Sequence, residues 1–173
     1  MPSLGVSDRQ TFLTHAQGFK FNSRTPTPLV VTDTTGRTWP VIAGNADADE
    51  RNFGLFDGDQ LVARLTIQAP DPNGDCPTPY WSIGKIEVVN SHQKRGLGRR
   101  LIEQVFGMLG APLASDLNQT PEGASIWRHL IPLHPGKIEL HDGAGGIVPV
   151  AIVGGACSPD PWSFPEWRLV RLP

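Results

Sequence analysis

The chain holds only two cysteines, one tyrosine and two methionines among its 173 residues, and no apolar run reaches membrane-spanning length. Each shortage excludes something. Cys76 and Cys157 stand far apart in loop-like surroundings, so a reduced pair is expected rather than a disulfide scaffold. His15, His92, His129, His134 and His141 show no metal-ligand spacing, and no metal is expected. Formal net charge is only −2, so nothing in the global charge calls for a nucleic-acid partner. The N-terminus lacks the charged and apolar regions of a signal peptide, so a cytoplasmic protein without a membrane partner is expected. With 39% hydrophobic and 18% charged residues, the composition is that of a folded chain of one domain, 1–173.

What is abundant is glycine and proline, 19 and 17 residues, which suits a loop-rich build. The most informative stretch is Trp81–Phe106, read as an apolar strand, a glycine loop and an amphipathic helix. Gly96 and Gly98 let the backbone turn sharply and bring N–H groups against a ligand. Those N–H groups open a helix, where unpaired donors and the helix dipole favour an anion. Lys94, Arg95, Arg99 and Arg100 gather positive charge at the same place. Leu97, Leu101, Ile102, Val105, Phe106 and Leu109 recur at helical spacing as one apolar stripe, and Gly110 and Pro112 end the helix. The arrangement is suited to holding a phosphate or pyrophosphate.

Two familiar phosphate binders do not fit. No G-x-x-x-x-G-K-[ST] run exists. A dinucleotide fingerprint would need a third glycine after Gly96-Leu97-Gly98, where Arg99, Arg100 and Leu101 stand instead. Its strand, buried on both faces, would also not carry Lys85 and Glu87.

Gln93-Lys-Arg-Gly-Leu-Gly98 resembles the Q/R-x-x-G-x-G/A pyrophosphate loop of the GNAT acetyltransferase superfamily. The strand ending Ile86-Glu87-Val88-Val89 and the helix with Leu101-Ile102 match that family in order and spacing. So do the short strand at Pro112–Asp116 and a helix starting at Thr120-Pro121-Glu122, with threonine as N-cap and proline at N1. The likeness is specific from about Ile83 to Leu130 and looser upstream to the hairpin at Asp57-Gly58. It implies an α/β (α+β) fold whose mixed, mostly antiparallel central sheet is flanked by helices and splays after its fourth strand. That strand is placed at about Tyr80–Asn90, with the cofactor core over about 52–131.

The resemblance further implies acetyl transfer from acetyl-CoA, as co-substrate, to the amine of an acceptor by direct attack. The loop Gln93, Lys94, Arg95, Gly96, Leu97, Gly98 and Arg99 would hold the pyrophosphate, and backbone groups of Val88 and Val89 the pantetheine arm. Glu87, the only acid in its strand, is the candidate base, or else a strand-face carboxylate paired with Lys85 or an arginine. Where the family carries a tyrosine as general acid, this chain has Trp127 at or near the position, which leaves Ser125 or water. Asn118 is a candidate helper asparagine at an altered spacing. A catalytically weak acyl-CoA-binding or protein-interaction module on the same fold is the alternative.

The remaining expectations are coarse. A short helix runs from Ser7 to about Ala16, and hairpin strands lie at Thr27–Asp33 and Thr38–Ala43 where the family has helices. Asn45–Glu50 reads as loop, and Asn52–Phe56 and Gln60–Gln68 as a second hairpin. Late strands are expected at Lys137–Leu140, Val148–Val153 and Trp167–Leu172. Trp162, Phe164 and Trp167 either wall an acceptor pocket, close a homodimer or form core under a proline-rich loop. His92 is expected as an exposed loop residue.

Overall fold

The computed structural model describes residues 20–71, 73, 80–116, 119, 121–142, 144–163 and 167–173. The expected helix at Ser7–Ala16, together with Cys76, Asn118, Thr120 and Phe164, lies outside the described residues, as does the side chain of Trp162. Among the described residues the fold is mixed α+β, with a large and mostly antiparallel sheet and two α-helices longer than one turn. The chain divides into two compact units, one through Ile67 and over Lys85–Val105, the other over Gln68–Gly84 and Phe106–Pro173.

The first unit carries β1 (Thr25–Thr32), β2 (Thr38–Ala46), β3 (Glu50–Asp57), β4 (Gln60–Gln68, through Ile67) and the second half of β5 (Trp81–Val88). The β1–β2 hairpin forms as its turn sequence requires, with Thr32 opposite Thr38 and Trp39 opposite Val31. β2 extends to Ala46 and β3 begins at Glu50, so the polar loop shrinks to three residues. A register shift between Ala43 and Ala46 accommodates that extension. β4 is buried from Leu61 to Ile67, with Leu61, Ala63, Leu65 and Ile67 on one face and Val62, Arg64 and Thr66 on the other. Buried Arg64 and Thr66 on an otherwise apolar strand need partners. Arg64 Nε meets Glu87 Oε2 at 3.1 Å, and Thr66 Oγ1 donates to Asn52 Oδ1 at 2.8 Å.

Phe21 shows why two strand glycines stand where they do. Its ring covers Gly44 and Gly54, where a Cβ would come within 2.7 and 2.8 Å of ring carbons. A methyl group there would displace a side chain that is only 3% exposed.

The second unit carries the first half of β5, β6 (Leu113–Ala114), β7 (Ile138–His141), β8 (Ile147–Pro149), β9 (Ala151–Val153), β10 (Ala156–Ser158) and β11 (Arg168–Arg171). Its strands run β5-β6-β11-β7-β8, antiparallel except for β5 with β6. That parallel register is confined to Trp81↔Leu113 and Ser82↔Ala114. The pairing ends where the two-residue β6 ends. Among the described residues four strands precede β5, so the strand expected as fourth is fifth in their order. The segment expected as one strand over Val148–Val153 breaks at Val150, giving β8 and β9. β9 turns through Gly154-Gly155 to pair with β10, a hairpin that the Gly-Gly pair announces but that was not anticipated.

Helix α1 spans Leu97–Leu109 and α2 spans Pro121–Leu133. The stripe of α1 is core: Leu97, Leu101, Ile102, Val105 and Phe106 are all buried. Gly110, at φ 59°, ends α1 in the left-handed conformation, with its N–H bonded to Phe106 O. Pro121 opens α2 at N1, and Trp127, Leu130 and Ile131 bury its apolar face. No described helix is long and apolar enough to cross a membrane.

Candidate functional site

The chain leaves β5 at Val88 and makes a 3-10 turn over Asn90–His92. It then passes Gln93–Gly96 and enters α1 at Leu97. Lys94 takes φ 62° and Gly96 φ 72°, so two left-handed residues flank Arg95, after Gln93 in extended conformation. Tight turns of this kind can bring successive N–H groups to one side and so form an anion-binding concavity. Lys94 holds that conformation without being glycine, a strain that clusters at functional sites. Arg100 N–H donates to Gly96 O at 3.1 Å, the first bond of the helix. Among the described residues, the N–H groups of residues 94–99 find no acceptor within the protein. Six consecutive backbone donors at a helix start, beside Lys94, Arg95 and Arg99, are what a pyrophosphate needs.

Gln93 does not point outward as a ligand in this structure. Its Nε2 donates to Val88 O at 3.1 Å and to Asn90 Oδ1 at 3.0 Å, so it ties the loop to the end of β5. Val89 requires a correction. Its N–H donates to Val62 O at 2.9 Å and its carbonyl accepts His92 N–H at 2.9 Å, so its backbone groups serve the sheet edge and the turn. The residue after the strand is held in the fold rather than left for a pantetheine arm. Val88, with its carbonyl on Gln93, is half-buried.

The loop leans on the β1–β2 turn, an element more than 50 residues upstream that carries no motif. Thr34 N–H donates to Arg95 O at 3.1 Å, and Arg100 Nη1 donates to Thr32 O at 2.6 Å. Arg95 Nη1 lies 3.9 Å from Asp33 Oδ2. Asp33 is buried and saturated with donors: Thr35 N–H at 2.8 Å, Thr35 Oγ1 at 2.6 Å, Arg37 N–H at 3.1 Å and the Trp39 indole at 3.1 Å. The Thr35 hydroxyl leads these in holding the Asp33 carboxyl down, from the ordinary 3.8 to about 2, against the opposing effect of burial. A depressed folded-state value means that the carboxylate stabilises the fold above the unfolded value and that this contribution disappears as pH falls toward 2. The stability gap between the wild-type protein and Asp33→Asn is therefore expected to close as pH drops from 5 to about 2. Urea midpoints measured across that range check it; a gap that stays constant would contradict it.

His92, expected at the surface, packs edge-on against Trp39 with centroids 5.5 Å apart, and its side chain is only 12% exposed. Its Nε2 lies 3.5 Å from Asp57 Oδ2, and Arg37 grips Asp57 Oδ1 at 2.8 Å while stacking 3.8 Å over Trp39. The Arg37 guanidinium holds the Asp57 carboxyl below its ordinary range.

Glu87 is a paired carboxylate. Arg64 Nε lies 3.1 Å from one oxygen and Lys85 Nζ 3.6 Å from the other, with the Glu87 side chain 28% exposed. Burial pushes the Arg64 guanidinium down from its ordinary value, and Glu87 opposes that shift. Ser125 lies on α2 in the second unit, where its carbonyl accepts His129 Nδ1 at 2.7 Å. Trp127 is 3% exposed, so its indole is packed as core. The chain's one tyrosine, Tyr80, bonds through its hydroxyl to His141 Nδ1, whose Nε2 meets Glu139 Oε2 at 2.8 Å. Burial raises the Tyr80 phenol above its ordinary value, and Glu139 adds to the shift. Cys157 is a free thiol, likewise pushed up by burial. Among the described residues no cluster of histidine, cysteine and carboxylate side chains has the makings of a metal site.

The sequence profile of the Acetyltransferase (GNAT) family matches residues 19–110. An uncharacterized N-acetyltransferase of Shouchella clausii is 28% identical over 88 residues, 49% of this chain and 52% of its own length. The uncharacterized N-acetyltransferase YlbP of Bacillus subtilis is 34% identical over 61 residues, 33% of this chain and 38% of its own length. The matched region thus spans about half or less of these curated relatives. Among solved structures, that of Bacillus subtilis YlbP in complex with coenzyme A aligns with TM-score 0.43 at 22% identity, over 70% of this chain and 67% of that one. An acetyltransferase from Thermus thermophilus aligns with TM-score 0.45 at 19% identity, over 73% of this chain and 66% of that one.

Proposed function

The chain belongs to the Acetyltransferase (GNAT) family, and from that premise we propose that it transfers an acetyl group from acetyl-CoA to the amine of an acceptor. One observation carries the reading: among the described residues, N–H groups 94–99 have no acceptor at the start of α1, inside the matched region. A pyrophosphate in that concavity takes hydrogen bonds from the backbone and charge from Lys94, Arg95 and Arg99. Anchoring the cofactor there sends its pantetheine arm along the second half of β5, the strand from which the loop emerges. The neutral amine nitrogen attacks the thioester carbonyl carbon, the C–S bond breaks, and the leaving thiolate takes up a proton from water. The amine gives up its proton to a base. Holding both reactants in line supplies much of the acceleration.

Glu87 is the candidate base, and its pairing with Arg64 and Lys85 makes the role testable. Glu87→Gln is expected to leave CoA affinity unchanged and to lower turnover roughly 10²-fold at neutral pH, with a smaller loss at high pH, where the amine is already deprotonated. Loss of equal size at every pH would assign Glu87 to the ion pair alone.

Trp127 favours a second reading, a binding module that retains the CoA site without efficient catalysis, because a buried indole cannot supply a proton. Free-thiol release from acetyl-CoA in the presence of a panel of small amines and lysine peptides separates the two. Acetylated product supports the transferase; CoA binding without turnover on any amine supports the module.

A further inference from the structure

Six neighbouring N–H groups find no acceptor among the described residues, and an anion site works best when its donors are already in place. Something outside the loop must fix it. Beyond the tie of Gln93 to the end of β5, most of the contacts that do so come from the β1–β2 turn and its flanks. Thr34 N–H reaches Arg95 O at 3.1 Å, between the two left-handed residues Lys94 and Gly96. The Arg100 guanidinium, one turn into α1, is anchored on Thr32 O at 2.6 Å. Arg95 is drawn toward Asp33 at 3.9 Å. The entry side of the loop is fixed as well, because His92 packs on Trp39 and lies 3.5 Å from Asp57, which Arg37 of the same turn binds at 2.8 Å.

The turn is itself rigid. Gly36 N–H closes it on Asp33 O at 3.0 Å, and Asp33 N–H bonds Arg37 O at 2.9 Å. Asp33 Oδ1 gathers two further N–H groups and a hydroxyl, while Oδ2 takes the indole of Trp39, which is 1% exposed. A stiff turn bonded before and after a strained loop acts as its template.

We propose that the Asp33–Arg37 turn is the positioning element of the phosphate-binding loop, with Asp33 and Thr34 as its positioning residues. This rests on the reading of residues 93–99 as a pyrophosphate site. It assigns part of the cofactor affinity to a segment outside the loop, acting through the Thr34 N–H bond to Arg95 O and the Asp33 carboxylate.

Thr34→Pro isolates the bond. Thr34 is the second residue of the turn closed by Gly36 N–H on Asp33 O, a position that proline favours, so the change removes one N–H while suiting the turn. Calorimetry with CoA and with pantetheine, which lacks the pyrophosphate, is run on the wild-type protein, Thr34→Pro and Asp33→Asn. Both variants are expected to bind CoA roughly three- to tenfold more weakly, the effect of one hydrogen bond, with pantetheine affinity unchanged. Trypsin cleavage after Lys94 or Arg95 is expected to quicken in Thr34→Pro while its thermal midpoint holds. Equal weakening of both ligands would mark the turn as merely structural and overturn the proposal. So would a folded Thr34→Pro with wild-type CoA affinity and wild-type cleavage. Wild-type protein that binds no CoA would instead overturn the functional reading beneath it.

Discussion

Gly96→Asp is expected to lower CoA affinity at least about 100-fold while the protein stays folded. At φ 72° an L residue is strained, but aspartate tolerates the left-handed region better than most, so the folding cost is held to about 1 kcal/mol. A Cβ at this position meets Arg100 Nε at 3.3 Å, a contact that a shift of a few tenths of an ångström relieves. The damage is electrostatic. A carboxylate placed inside the concavity takes the N–H donors of residues 94–99 for itself and repels the pyrophosphate. Gly96→Ala, with the strain and without the charge, is expected to lose only roughly three- to tenfold. Calorimetric CoA titration, with circular dichroism as the folding control, reads both. An Asp variant that binds as well as the Ala variant would mean that no anion sits at this loop.

Trp39→Ala is expected to be the most destabilising single change in the first unit, at about 3–5 kcal/mol, the usual cost of deleting a buried indole. The side chain is 1% exposed and serves three neighbours at once. It donates to Asp33 at 3.1 Å, carries the Arg37 guanidinium at 3.8 Å and supports the His92 ring at 5.5 Å. Trp39→Phe keeps most of the packing and loses the donor, so it falls between. Urea midpoints order the three proteins. A loss below about 1 kcal/mol for the alanine variant would show that the pocket collapses around the smaller side chain, and that the turn does not depend on it.

The sequence was readable wherever chemistry and local geometry coincide. The glycine loop declares itself because Gly96 needs a positive φ and helix α1 has an unbroken apolar stripe, and both are local properties. The β1–β2 and β3–β4 hairpins announce themselves through Gly36 and Gly58, both at positive φ. What stayed hidden is tertiary. No spacing rule links Thr34 to Arg95, or Asp33 to Trp39 and Arg95, because those bonds join segments that only the fold brings together. His92 looked like a surface residue because its cover, Trp39, lies 53 positions away in sequence. Val89 looked available because the strand pattern cannot show that its N–H reaches Val62 O. Glu87 was legible as a carboxylate on a strand, but its main partner Arg64 comes from β4.

The most direct test of the account is calorimetric titration of the wild-type protein with CoA, with pantetheine as the ligand that lacks the pyrophosphate. The loop of residues 93–99 predicts saturable binding of CoA at micromolar concentration, at least tenfold tighter than that of pantetheine (~1.4 kcal/mol) and weakening as salt is raised. No CoA binding, or equal affinity for the two ligands, would mean that the donors at the head of α1 hold no phosphate, and the functional reading would fail.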